Sequence, residues 1–118
     1  MKQFMAIYLG SPGARAKWDE LSEAERKERQ ERGMSAWRDW AATHRESIVE
    51  GGGPLGKTKR ADAIGITDVR NNLAAYVIVQ AESQEAAAKM FLNHPHFTVF
   101  PGEAVEVMEC LPVPGADR

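Results

Sequence analysis

Two segments constrain this chain more than anything else in it. Lys2–Leu9 ("KQFMAIYL") and Leu73–Glu82 ("LAAYVIVQAE") read as strands, and in each of them both alternating sets of side chains are apolar. Phe4, Ala6 and Tyr8 face one way, while Met5, Ile7 and Leu9 face the other. In the later segment Val77 and Val79 oppose Tyr76 and Ile78. A sheet with helices on one face and water on the other should alternate apolar with polar residues. These strands do not, so both faces of their sheet are expected to be buried.

The rest of the chain supplies helices for only one of those faces. After a turn signal, "GSPG", comes the charged segment "LSEAERKERQERGMSAWRDWAATHRES". Ser22 followed by Glu25 is a capping-box pattern and sets the helix start. Glu23–Lys27, Glu25–Arg29 and Glu28–Arg32 are i,i+4 pairs, each contributing roughly 0.2–0.5 kcal/mol to an otherwise polar stretch. Beyond Gly33, which marks a bend, Met34, Trp37, Ala41, His44 and Ile48 form one packing face. "SIVEGGGPL" is a second strand, and "GKTKRADAIGITDVRNN" is a polar excursion with a short hairpin around Ala63–Thr67. Ser83 caps a short helix, "QEAAAKMFLNH", with Ala87, Met90, Phe91 and His94 on one face. "HPHFTVFPGE" reads as a loop, "AVEVMECLPV" as the last strand, and "PGADR" as a fraying tail.

The order β-α-β-β-α-β predicts an α+β domain spanning residues 1–118, with one antiparallel sheet and both helices on one face. No element remains for the second face. A second copy is the simplest cover, which predicts a homodimer with sheets packed face to face.

Composition removes several function classes. A net charge of −2 gives no basic field for nucleic acid or acidic membranes, and the later half of the chain is the acidic one. The apolar run "FMAIYL" is too short for a signal peptide, and no run approaches the ~20 residues of a membrane span. The only cysteine, Cys110, allows no intrachain disulfide and reads as a small packed hydrophobe. The expectation is a cytoplasmic protein.

Three stretches carry possible chemistry. "GGGPLGKT" (Gly51–Thr58) fits the phosphate-loop template, but the residues after it hold Gly65 and β-branched side chains where a helix should open. A nucleotide site is therefore not expected there. "NHPHF" (Asn93–Phe97) places His94 and His96 either side of a proline, with both imidazoles projecting to one side. Histidines titrate near neutrality and suit proton transfer. A third metal ligand is not evident nearby, so no metal is assigned; the bland reading is that Asn93 and His94 end the preceding helix. "TDVRNN" (Thr67–Asn72), with Lys57, Lys59 and Asp62, is either a solvated hairpin tip or an anion site built on Arg70 and Asn72. Tyr8 is a further candidate contact. His44 and the three tryptophans, Trp18, Trp37 and Trp40, read as packing residues.

The strings "GGGPLGKTKR", "GITDVRNNLAAYVIVQAES", "EAAAKMFLNHPHF" and "PGEAVEVMECLPVPG" together resemble the YCII-related family, which includes the DGPF-motif proteins. The likeness runs from residue 50 onward, with a looser match in the first strand. It implies a ferredoxin-like, dimeric α+β barrel, with the "GGPL" turn at Gly52–Leu55 in the place of the family's "DGPF". Some members carry a His–Asp pair whose histidine begins the first helix; here that region reads "ARAKWDELS" and has none. A pair in this chain would join His94 or His96 to Asp62 or Asp68. The resulting expectation is a homodimer binding a small anionic metabolite. His94, His96 and Asp68 are the catalytic candidates; Lys59, Arg70, Asn72 and Tyr8 are the candidate substrate contacts. The chemistry would be cofactor-independent proton transfer, such as isomerisation, lactone chemistry or dehydration. The alternative is a non-catalytic ligand-sensing or interaction module.

Overall fold

Strand β1 (Lys2–Gly10) runs between β5 (Leu73–Ala81) and β6 (Gly102–Glu109), and β2 (Ile48–Pro54) lies outside β5. Every neighbouring pair is antiparallel. The order β2-β5-β1-β6 is that of a ferredoxin-like α+β domain, as the sequence predicts. This architecture comes from a computed structural model that describes residues 1–115; the end of the "PGADR" tail lies outside them. A second, two-stranded sheet, β3 (Thr58–Ala61) with β4 (Ile66–Val69), is inserted between β2 and β5. Asp62 closes this hairpin by accepting hydrogen bonds from the Ile64 and Gly65 N–H groups.

Helix α2 (Glu23–Thr43) starts where the capping box places it. The Glu25 N–H donates to Ser22 Oγ at 3.1 Å, and the Ser22 N–H donates back to Glu25 Oε1 at 2.9 Å. The helix continues through Gly33, which is buried against the Phe100 ring. Its inward stripe is Gly33, Trp37 and Trp40; Met34 is substantially exposed, so the packing face is turned by about one residue from the predicted one. Trp40 also donates its indole N–H to the Met90 carbonyl at 2.7 Å, tying α2 to the end of α3 (Gln84–Lys89).

Two further helices stand where loops were expected. Ser11 accepts a hydrogen bond from the Ala14 N–H and Pro12 occupies the first turn, so "SPGARAKWD" starts α1 (Pro12–Asp19). After Asn93, whose φ of 58° closes the preceding turn, α4 (Pro95–Thr98) begins. His94 therefore caps the start of the next helix and does not terminate the last one.

The helix side of the sheet holds the core: Phe4, Ala6, Tyr8, Ala75, Val77, Val79 and Ala81, joined by Ala87 and Phe91. The opposite side, carrying Met5, Ile7, Leu9, Tyr76 and Ile78, is only half-buried, and no described helix lies across it. The described chain is correspondingly flat, 54 × 44 × 18 Å. Its radius of gyration is 16.4 Å, against roughly 13.5 Å for a globular chain of this length.

The phosphate-loop match dissolves into strands. Gly51–Pro54 belong to β2 and Thr58 begins β3, so no helix opens behind Lys57 and Thr58. Gly52, at φ 62°, sits in a bulge against β5, where a Cβ would strike the Tyr76 carbonyl. Strand β6 stops at Glu109, before the predicted end, which leaves Cys110 exposed and corrects its assignment as a packed hydrophobe. No described helix is long and apolar enough to cross a membrane.

Candidate functional site

The end of β1 is where several segments distant in sequence converge. Antiparallel pairing sets Leu9 opposite Leu73 of β5 and opposite Ala104 of β6, and the Gly10 N–H donates to the Asn72 carbonyl at 2.9 Å. Around this point lies an open cleft of about 770 Å³, walled by Ser11 and Arg15 of the α1 start, by Arg70–Ala74, and by His96, Phe100 and Gly102. Three predicted site residues, His96, Arg70 and Asn72, thus share one cavity. Arg15 joins them; the turn reading of "GSPG" hides it in the sequence. Ser11 at the cap and Pro12 in the first turn were the signal available.

His96 is fixed by its neighbours. One ring nitrogen, Nε2, lies 2.7 Å from the Leu9 carbonyl oxygen. A carbonyl only accepts, so Nε2 carries the proton and Nδ1 holds the free lone pair. Nδ1 has no partner among the described residues, and it is not sealed from solvent. Burial holds the imidazole below its ordinary pKa, while the bond to Leu9 pulls the other way. At neutral pH His96 is therefore a neutral ring with one available basic nitrogen. Gly102 stands directly against it: a Cβ there would collide with both the His96 carbonyl and its ring.

His94 is placed quite differently. It is fully buried, within 5 Å of the ring centroids of Trp37 and Trp40. The His96 N–H donates to His94 Nδ1 at 2.9 Å, so Nε2 carries the ring proton and donates to the Tyr8 hydroxyl at 3.3 Å. Desolvation, with smaller contributions from His96 and His44, depresses its pKa to about 4. Of the two imidazoles, only His96 lines the cleft. Both rings lie against Tyr8, whose ring centroid is 5.0 Å from His94 and 5.2 Å from His96. Burial raises the Tyr8 pKa, so the hydroxyl stays protonated.

The remaining candidates lie along the hairpin. Lys59 and Asp68 are cross-strand neighbours joined by an exposed ion pair at 2.6 Å. They border a second groove, which meets the cleft at Arg70, Asn71 and Leu73. Asp62 spends its carboxylate on the hairpin turn and on Arg60. Neither aspartate is hydrogen-bonded to a histidine. Arg70 has no ion-pair partner among the described residues, whereas Arg15 pairs loosely with Asp19 at 3.6 Å.

Comparison with known proteins bears on the fold. No family model matches the sequence, and no curated protein matches it. A solved structure does: 5-chloro-2-hydroxyhydroquinone dehydrochlorinase from Burkholderia phenoliruptrix AC1100, in complex with 2,5-dihydroxybenzoquinone. The match covers 98% of this chain and 99% of that one, with a TM-score of 0.53 and 18% identity. The two share a fold over their whole lengths. At that identity the likeness extends no further.

Proposed function

We propose that this protein binds a small anionic metabolite in the cleft at the end of β1 and moves a proton on it without a cofactor. The observation that carries this reading is the fixed tautomer of His96. Its Nε2–H is committed to the Leu9 carbonyl and its Nδ1 is left unpaired beside a cavity holding Arg70 and Arg15. A neutral imidazole oriented through its other nitrogen is the arrangement a general base requires. Arg70 and Arg15 would hold a carboxylate or phosphate, and Asn72 would orient it. His94 and Tyr8 act as positioning residues, since they fix the backbone and ring of His96 from behind. Lys59 and Asp68 enter only as contacts for a ligand long enough to reach the adjoining groove. The chemistry would be isomerisation, lactone opening or dehydration. That a protein of the same fold is a dehydrochlorinase solved with a small quinone supports small-molecule chemistry on this scaffold.

The working unit in this reading is a homodimer of the YCII-related type, with the apolar faces of two sheets packed together. The flat shape and the half-buried Met5, Ile7 and Ile78 support it. Light scattering should then give about twice 13.1 kDa; a monomer at micromolar concentration ends that part of the proposal.

A second reading, a non-catalytic ligand sensor, is favoured by one observation: no carboxylate is bonded to His96 among the described residues. Thermal-shift screening with small carboxylates and phosphates, followed by turnover assays on the hits, separates the two. A ligand at a hundred times its Kd stabilises by about 2.7 kcal/mol. Arg70→Ala should abolish that shift under either reading. His96→Gln should abolish turnover while keeping most of the shift if the protein is an enzyme. A hit that binds at the cleft and is never turned over supports the sensor.

A further inference from the structure

A second cavity lies on the helix side of the sheet, away from the cleft, and its chemistry is different. The register aligns Tyr8 of β1, Ala75 of β5 and Pro54 of β2 in one row across the sheet. Met34 and Trp37 of α2 roof that row, and Gly51 and Gly53 of β2 with Tyr76 of β5 complete the wall. The space between them is about 170 Å³ and opens to solvent beside the exposed Met34 and Gly51.

Its origin is legible in the side chains. Along β5 the inward residues are Ala75, Val77, Val79 and Ala81. The two valines lie in the middle of the core, while Ala75 is paired with Pro54 beside Gly51–Gly53 of β2, a stretch with no side chains to fill the gap. Protein interiors are normally packed to the density of organic crystals, so a space of this size beside the core is unfilled room that a larger side chain at position 75 would occupy in part.

We propose that this cavity is a binding site for an uncharged monocyclic aromatic ring, of the size of benzene or phenol. Volume sets the first limit, since a cavity of about 150 Å³ lined by apolar side chains suffices for benzene. Polarity sets the second. No charged side chain lines the space, and a charge buried there would have no partner. Aromatic lining sets the third: Tyr8 and Trp37, in edge-to-face contact with each other at 4.9 Å and 84°, both contribute to the wall. Met34 at the mouth is an unbranched, adaptable side chain with a sulfur suited to aromatic contact. This inference does not depend on the anion reading of the cleft, because the two cavities share no lining residue.

The test is an amide and indole NMR titration of the intact protein with benzene and phenol, using benzoate as the charged control. The neutral rings should produce saturable shifts at Gly51, Gly53, Ala75 and the Trp37 indole, and leave Arg70 and Asn72 unmoved. Benzoate should bind at that site at least about tenfold more weakly. Ala75→Leu fills the space and should remove the shifts while the spectrum stays dispersed. If that variant does not fold, Ala75→Val is the milder filling and should weaken binding at least about threefold. Absence of saturable shifts at these residues, equal binding of benzoate there, or unchanged affinity in a folded filled variant would each overturn the proposal.

Discussion

His94 and His96 are two residues apart and touch the same tyrosine, yet their ring nitrogens have different surroundings. His94 sits inside an aromatic cage with every ring nitrogen committed to the protein. His96 sits at the cleft wall with one nitrogen committed and one free. Proline-initiated α4 produces the difference: His94 caps its start and reaches the Tyr8 hydroxyl, while His96, one step into the helix, reaches the Leu9 carbonyl at the end of β1. The same residue type is therefore architecture in one place and available chemistry in the other. Burial alone does not separate them, since both are depressed in pKa by desolvation. The unpaired nitrogen does.

The largest effect that would sharpen this contrast is the loss of His94. His94→Ala should remove an aromatic-sized side chain from a sealed site, leave the Tyr8 hydroxyl without its donor and uncap α4. A destabilisation of about 3 kcal/mol or more is expected in urea unfolding. A loss under 1 kcal/mol would mean that the cage is not structural.

The pH dependence tests the same cage without mutation. The folded-state pKa of His94, about 4, lies below its ordinary value of 6.5. The unfolded chain thus binds the proton more readily, and the stability His94 contributes is present above pH 6.5 and lost as pH falls toward 4. Between pH 7 and pH 5 the loss should be about 2 kcal/mol. His96, shifted in the same direction, adds to it. His94→Phe should flatten much of that slope; an unchanged slope would locate the titrating group elsewhere.

How much of this was readable in advance depends on what each signal reports. The strands, the capping box at Ser22 and the hairpin around Ala63–Thr67 follow from local pattern, and all three are present. Proline as loop punctuation misleads here, since Pro12 and Pro95 each open a helix. Gly33 reads locally as a bend that starts the packing face at Met34, whereas its missing side chain lets Phe100 approach and puts Gly33 itself on that face. Among the site residues, His96, Arg70 and Asn72 were each legible as polar groups in loops. Their meeting was not, because it depends on β1 pairing with both β5 and β6. The division of labour between the histidines was hidden for a similar reason: it rests on Tyr8, 86 positions away in sequence from His94.

Gly102 offers an intermediate test of the cleft side. Gly102→Ala would press a methyl group on the His96 carbonyl and ring. The cost should be about 1–3 kcal/mol, as for overpacking elsewhere. Because the displaced group is His96, any turnover found for a cleft ligand should fall by more than the stability loss explains. Ligand binding through Arg70 should change less. Activity that survives with His96 visibly displaced would remove the histidine from the proposed chemistry.

The smallest effect is expected at Asp68, and that is what makes it informative. Asp68 and Lys59 form an ion pair with both side chains mostly in water, and such pairs contribute roughly 0–1 kcal/mol. Asp68→Ala should therefore alter stability by no more than about 0.5 kcal/mol at moderate salt. If the free Nδ1 of His96 acts alone, the variant should also leave the response to a cleft ligand intact. If Asp68 is instead the carboxylate that completes a His–Asp pair once the hairpin closes over bound ligand, Asp68→Ala should cost turnover at nearly unchanged stability. Lys59→Ala separates the two cases further. It removes the same ion pair without removing the carboxylate, so a defect seen in Asp68→Ala and absent in Lys59→Ala would mark Asp68 as part of the chemistry. Equal, small effects in both would leave the hairpin as a wall of the groove and His96 as the only group moving the proton.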